Sequence, residues 1–117
     1  MKFKLIMAFV DEDKTETVMD ASRAAGATGA TIIKNARGQG LSKTWGIFGF
    51  EILDPRDVVL ILAENRRADV VLDSVLASGK LDESLGTGIA LMIDVERAVG
   101  LSEHVKKLAA EHPPENG

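Results

Sequence analysis

Cysteine and tyrosine are both missing from the 117 residues. The first absence removes a disulfide scaffold, a thiolate metal site and a cysteine nucleophile together. The second excludes any regulation that works by modifying a tyrosine. Positive charge is not in excess either: 14 Lys and Arg stand against 18 Asp and Glu, a formal net charge of -4. The basic residues are scattered among acids, which argues against sequence-independent binding to a phosphate backbone and hence against nucleic acid as a partner. No stretch approaches the roughly 18 apolar residues of a membrane-spanning helix. The run from Phe3 to Val10 is too short for the apolar region of a signal peptide with its cleavage site. The chain therefore reads as soluble, unprocessed and cytoplasmic. Internal repeats and low-complexity segments are also lacking. What is present, 45% hydrophobic content in 117 residues, fits one compact domain over 1–117, with its core at about 3–101 and a tail at 102–117.

"FKLIMAFV" at 3–10 is a short apolar run with the character of a central buried strand, ended abruptly by "DED". From Asp13 the pattern becomes helical. Asp13 and Glu16 have capping-box spacing, Val18, Met19, Ala21, Ser22 and Ala25 share a face, and Gly26 closes a helix over about 14–25. "ATIIKNA" at 30–36 reads as a strand, and "WGIFGFEIL" at 45–53 as mostly extended chain that makes a hairpin with it. "VVLILA" at 58–63 is apolar at every position, as expected of a strand buried on both faces or at a subunit contact. Asn65 is placed to cap a second helix through Ala68, Val71, Leu72, Val75 and Leu76, with Gly79 closing it. "IALMI" at 89–93 supplies the last strand, Asp94 is placed to cap a helical turn through Val99, and Ser102 another helix through Ala110. The order is β-α-β-β-α-β, the α+β ferredoxin-like arrangement with two helices on one sheet face, plus a short C-terminal helical extension. The other face needs a cover. Few aromatics and many small or β-branched residues predict that neighbouring subunits supply it in a homo-oligomer.

Chemistry-bearing residues are sparse. "RGQGLSKT" at 37–44 has two glycines through which backbone N–H groups can approach a phosphate, with charge from Arg37 and Lys43; a plain hairpin tip is the alternative. Gly86-Thr87-Gly88 before the last strand is either a phosphate cradle or a tight turn. Trp45 is either a partner-docking anchor or a packed side chain. His104 and His112 lack the convergent geometry of a metal site, Asp11-Glu12-Asp13 reads as a solvated helix start, and Ser22 and Ser42 have no nearby His with which to argue a triad.

Three stretches together resemble the PII signal-transduction proteins: "GATGATI" at 26–32, "DPRDVVLILAENRRADVVLDSVLASGKL" at 54–81, and "GTGIALMIDVERAVGL" at 86–101. The likeness spans about 3–101. It implies a homotrimer that binds adenine nucleotides in clefts between subunits and carries a loop between its second and third strands, here at 37–54, for docking onto a membrane transporter or a metabolic enzyme. By that resemblance Thr31 and Gly86, Thr87 and Gly88 face the nucleotide from two sides, with Arg37, Gly38, Gln39 and Gly40 at the loop base. Leu41, Ser42, Lys43, Thr44 and Trp45 would meet the partner.

The chain departs from the family where cations are expected. Ile89 stands in place of a lysine, and Gly100 and Ser102 in place of two arginines. Charge-assisted hydrogen bonds are worth roughly 1.5–3 kcal/mol each, so triphosphate affinity should fall and ADP or AMP should rival ATP. The expectation is a non-enzymatic regulator with no obligatory cofactor, attached to membranes only through a transporter. The alternatives are a small isomerase- or oxygenase-type enzyme on the same architecture and a structural trimer that no longer binds a ligand.

Overall fold

The computed structural model describes residues 2–36, 56–81 and 88–111. The elements run β1 (Phe3–Val10), α1 (Thr15–Ala24), β2 (Gly29–Ala36), β3 (Arg56–Glu64), α2 (Ala68–Ser78), β4 (Ile89–Asp94) and α3 (Ser102–Glu111). The four strands form one sheet in the order β2-β3-β1-β4, with every pairing antiparallel. This is the expected α+β ferredoxin-like fold with an added C-terminal helix. The ladder of β2 is made with β3, in which Gly29 faces Leu62 and Ile33 faces Val58. The extended segment expected at 45–53 lies outside the described residues.

Period-two alternation decides which side chains meet the helices. Ile6, Ala8 and Val10 of β1 and Val59, Ile61 and Ala63 of β3 form one face, fully buried against Val18 of α1 and Ala68, Val71 and Val75 of α2. Leu5, Met7 and Phe9 point the other way, in register with Leu62, Leu60 and Val58 of β3 and with Ile93, Leu91 and Ile89 of β4. No described helix covers that second face. Ile33, Leu91 and Ile93, which lie on it, remain 49%, 43% and 46% exposed. The all-apolar run in β3 follows from its inner position: one row of its side chains is under the helices and the other is on the open face.

The helix ends differ from the sequence expectation. A 3-10 turn at Glu12–Lys14 precedes α1, and no side chain caps the helix. Asp13 sits inside that turn rather than at an N-cap. Glu64, not Asn65, serves the second helix: its side chain accepts from the Arg66 backbone N–H at 2.6 Å, while Asn65 belongs to the 3-10 turn that leads into α2. Gly26 ends α1 as expected, with φ +108 and the Ala27 N–H donating to the Ser22 carbonyl at 2.9 Å. At the end of α2 the left-handed position is taken by Lys80, φ 54, one residue past Gly79. The helical turn expected from Asp94 to Val99 does not form. Lys4 ion-pairs with the Asp94 carboxylate, and the Val95 N–H donates to the Phe3 carbonyl, so the chain stays extended there.

Candidate functional site

Of the residues expected to bind a ligand, Thr31 and Gly88 are described. Arg37, Gly38, Gln39, Gly40, Gly86 and Thr87, and the docking residues Leu41, Ser42, Lys43, Thr44 and Trp45, lie outside the described residues. Thr31 sits on β2 opposite Leu60, exposed, on the face away from the helices. Gly88 immediately precedes β4 and is buried. These are the two outer strands of the sheet. Three inter-strand steps of about 4.8 Å separate the two strands by roughly 14 Å, and the register Thr31–Leu60–Met7–Leu91 sets Thr31 level with Leu91, so that Gly88 lies about 10 Å further along the strand direction.

Gly88 has a structural requirement of its own. Its φ is +128, and a Cβ there would lie 2.4 Å from the Phe9 carbonyl oxygen and 2.8 Å from Leu81 Cδ2. The close approach of β4 to β1 therefore demands glycine before any ligand is considered. Ile89, expected from the resemblance to stand where a lysine would be, lines an apolar cleft of about 460 Å³ together with Leu72, Leu76, Leu81 and Leu91. Gly100 is an exposed residue with φ +87. A second cleft of about 320 Å³ lies at the entry to β2, bounded by Ser22, Arg23, Thr28 and Gly29. There Thr28 is fixed by two hydrogen bonds to the Leu62 carbonyl, one from its N–H and one from its hydroxyl, each 2.9 Å.

The most buried charge lies where β3 receives the chain from 37–55. Asp57 is fully buried; the Thr15 hydroxyl donates to its Oδ2 at 2.6 Å and the Lys34 ammonium at 3.0 Å. Its Oδ1 has no partner of hydrogen-bond geometry among the described residues. Burial pushes this carboxyl up, but the hydrogen bonds from Thr15 and Lys34 and the charge of Lys34 outweigh it, with a weaker pull from the Asn35 backbone N–H. The net result is a carboxyl held below its ordinary range. The Asp57 hydrogen bond holds Lys34 above its ordinary value against a small desolvation. Next to Asp57, the buried Arg56 guanidinium ion-pairs with Asp11. Asp11 is therefore an anchor rather than a solvated acid, whereas Glu12 and Asp13 are exposed as expected. Asn35, with φ 60, marks the irregularity where β2 leaves the ladder between Ile33 and Ala36.

The Asp57 cluster was not singled out from the sequence, although a signal existed. Counting in twos back from Val59, Ile61 and Ala63 places Asp57 in the helix-facing row, where a charge needs partners. Neither cleft is lined by Asp57 or Glu64. With its pKa lowered and its Oδ2 doubly bonded, Asp57 has the character of a structural brace and not of a general acid.

The family model described as nitrogen regulatory protein P-II matches residues 3–105. Among solved structures, CPII bound to ADP, AMP and acetate, from Thiomonas intermedia K12, is similar in fold, with a TM-score of 0.64 and 16% sequence identity over 83% of this chain and 89% of that one. No curated protein matches the sequence.

Proposed function

The chain belongs to the nitrogen regulatory protein P-II family, and from that premise we propose that it is a non-enzymatic regulator that senses an adenine nucleotide or a related small anion between subunits of a homotrimer. The observation that carries this reading is the placement of Thr31 and Gly88 on opposite outer strands of one sheet. Groups on the two outer strands of one chain can contact one nucleotide from two sides when the β2 edge of one copy meets the β4 edge of the next. The uncovered apolar face with Ile33, Leu91 and Ile93 supports association of copies. The solved structure of CPII, similar in fold, holds ADP and AMP. That fits a site in which the family's lysine is replaced by Ile89 and its arginines by Gly100 and Ser102.

In this reading Gly38, Gln39 and Gly40 contact the ligand, and the loop over 37–54 is ordered by it and docks through Leu41 to Trp45 onto a transporter or a metabolic enzyme in the cytoplasm. Ligand contacts would offset the conformational entropy of ordering that segment, which supplies the switch. Among the described residues no helix is long and apolar enough to cross a membrane, so membrane attachment is assigned to the client. Isothermal titration of the full chain with AMP, ADP, ATP and cyclic nucleotides tests the ligand. Binding of ADP or AMP at least as tight as that of ATP is expected. Absence of both heat and thermal shift with every nucleotide would leave the structural-trimer alternative.

A further inference from the structure

Among the described residues, β2 and β3 lose register beside the point where the segment 37–55 leaves the sheet and returns to it. Ile33 faces Val58 and Ala36 faces Arg56, so Lys34 and Asn35 together stand opposite Asp57. The extra residue in β2 makes a β-bulge, which bends the strand and re-aims the chain that follows. Asn35 takes a left-handed backbone there, with φ 60. Asparagine tolerates that conformation better than most side-chain-bearing residues, though still at a cost. The pair Ala36 and Arg56 is the last of the ladder, and the chain between them is 37–55.

Three elements converge on this bulge. Thr15, at the start of α1, donates its hydroxyl to Asp57 at 2.6 Å, Lys34 of β2 reaches the same Oδ2 at 3.0 Å, and the Asn35 backbone N–H adds a weaker pull on the carboxylate. The buried Arg56 ion-pairs with Asp11, just ahead of α1. Opposite charges thus tie both ends of 37–55 to each other and to the junction of β1 with α1. Stability alone is a weak reason for such a cluster, because a buried ion pair is often no better than well-packed apolar side chains of the same volume. What the cluster does supply is one fixed arrangement. A buried charge, a bulge and a left-handed asparagine at one place are the kind of local strain that persists where structure is held for a function.

We propose that Asp57 is a positioning residue for the segment 37–54: with Lys34 it holds the bulge in place, and the bulge sets the spacing and the direction in which the two ends of that segment leave the sheet. The role rests on the reading of 37–54 as the regulatory loop, but not on which ligand orders it. Fixed ends lower the conformational entropy that a ligand or a client must overcome, so the cluster acts on affinity through the loop. Lys34 is the part of the cluster that can be removed without opening the core, since its side chain is 62% exposed against 0% for Asp57.

Trp45 is the single tryptophan of the chain and falls within the segment, so its fluorescence anisotropy in the full-length protein reports on the loop. Lys34→Met removes the ammonium, and Asn35→Val sets a β-branched side chain against the left-handed backbone. Each should lower the anisotropy of Trp45 and weaken ADP binding by about fivefold or more. Lys34→Arg should retain both. Val71→Ala, at a fully buried position of α2, should cost stability and leave both unchanged, which separates positioning from general bracing. If Asn35→Val does not fold, Lys34→Met carries the test. Anisotropy that is unchanged in the Lys34→Met protein, or that Val71→Ala lowers as far, overturns the proposal. Lowered anisotropy with ADP bound as before supports the positioning of the loop and removes the loop from the ligand site. Should the unmodified protein bind no ADP, the nucleotide reading fails and the anisotropy alone decides the role of Asp57.

Discussion

With Thr15 and Lys34 both donating to Oδ2, the Asp57 carboxylate is ionised in the folded chain at neutral pH. Its folded pKa lies below the ordinary value, so its contribution to stability is complete above about pH 4 and is lost as pH falls through the folded pKa. Lys34→Met removes the ammonium and leaves a fully buried carboxylate with one side-chain donor. Desolvation then prevails, and the folded pKa should rise above the unfolded one. The sign of the linkage reverses: the variant is at its weakest at neutral pH and recovers as pH falls toward about 4. A loss of stability at pH 7 is expected, with the gap to the unmodified protein narrowing on acidification in urea unfolding at a series of pH values. A gap independent of pH would remove Lys34 from the account of Asp57. Gly88 gives a second test at this scale. Gly88→Ala must place a methyl 2.4 Å from a backbone oxygen at φ +128, so a cost of about 2–4 kcal/mol is expected from chemical denaturation, with or without ligand.

Among the described elements, the strands and the glycines that close α1 and α2 were legible in the sequence, and the starts of the helices were not. β1 and β4 stand within one residue of the expected runs because continuous apolar side chains and abrupt polar stops leave little choice of boundary. β3 begins two residues earlier than its apolar run, since Arg56 and Asp57 join the ladder with their charges paired to Asp11 and to Thr15 and Lys34. Capping was misplaced because a cap depends on which neighbouring polar group arrives first. Glu64 reaches the Arg66 N–H at 2.6 Å, and Thr15 gives its hydroxyl to Asp57, 42 positions away in the chain. The end of α2 carries a correctable strain. Lys80 adopts a left-handed conformation that costs a side-chain-bearing residue about 1 kcal/mol or more. Lys80→Gly should therefore stabilise the chain by about 0.5–1 kcal/mol, read as a rise of a few degrees in Tm by calorimetry.

At the scale of the whole molecule, one sheet face is closed by α1 and α2, and the other presents Leu5, Met7, Phe9, Leu60 and Leu62 with Ile33, Leu91 and Ile93 at its margins. A face of this kind in water favours association. Ile93→Asp places a charge on it at an exposed position of an outer strand. The expected outcome is a shift from an oligomer to the 12.5 kDa single chain in sedimentation, with little change in the far-UV spectrum. An unchanged oligomer would move the contact elsewhere. The sequence by itself determined the strand and helix order, the ferredoxin-like class and the family likeness, because hydrophobic period and glycine placement are local properties of the chain. Only the tertiary structure decided that Gly88 is dictated by β1, that Asp57 is a buried brace and not a solvated acid, and that Thr31 and Gly88 stand on opposite edges of one sheet. Those facts depend on which residues meet across the fold, and contact between distant positions is set by sheet register and packing rather than by any local pattern. The opening stretch of the candidate site, "GATGATI", thus owes its helix stop to its own Gly26 and its place on an outer strand to the register with β3.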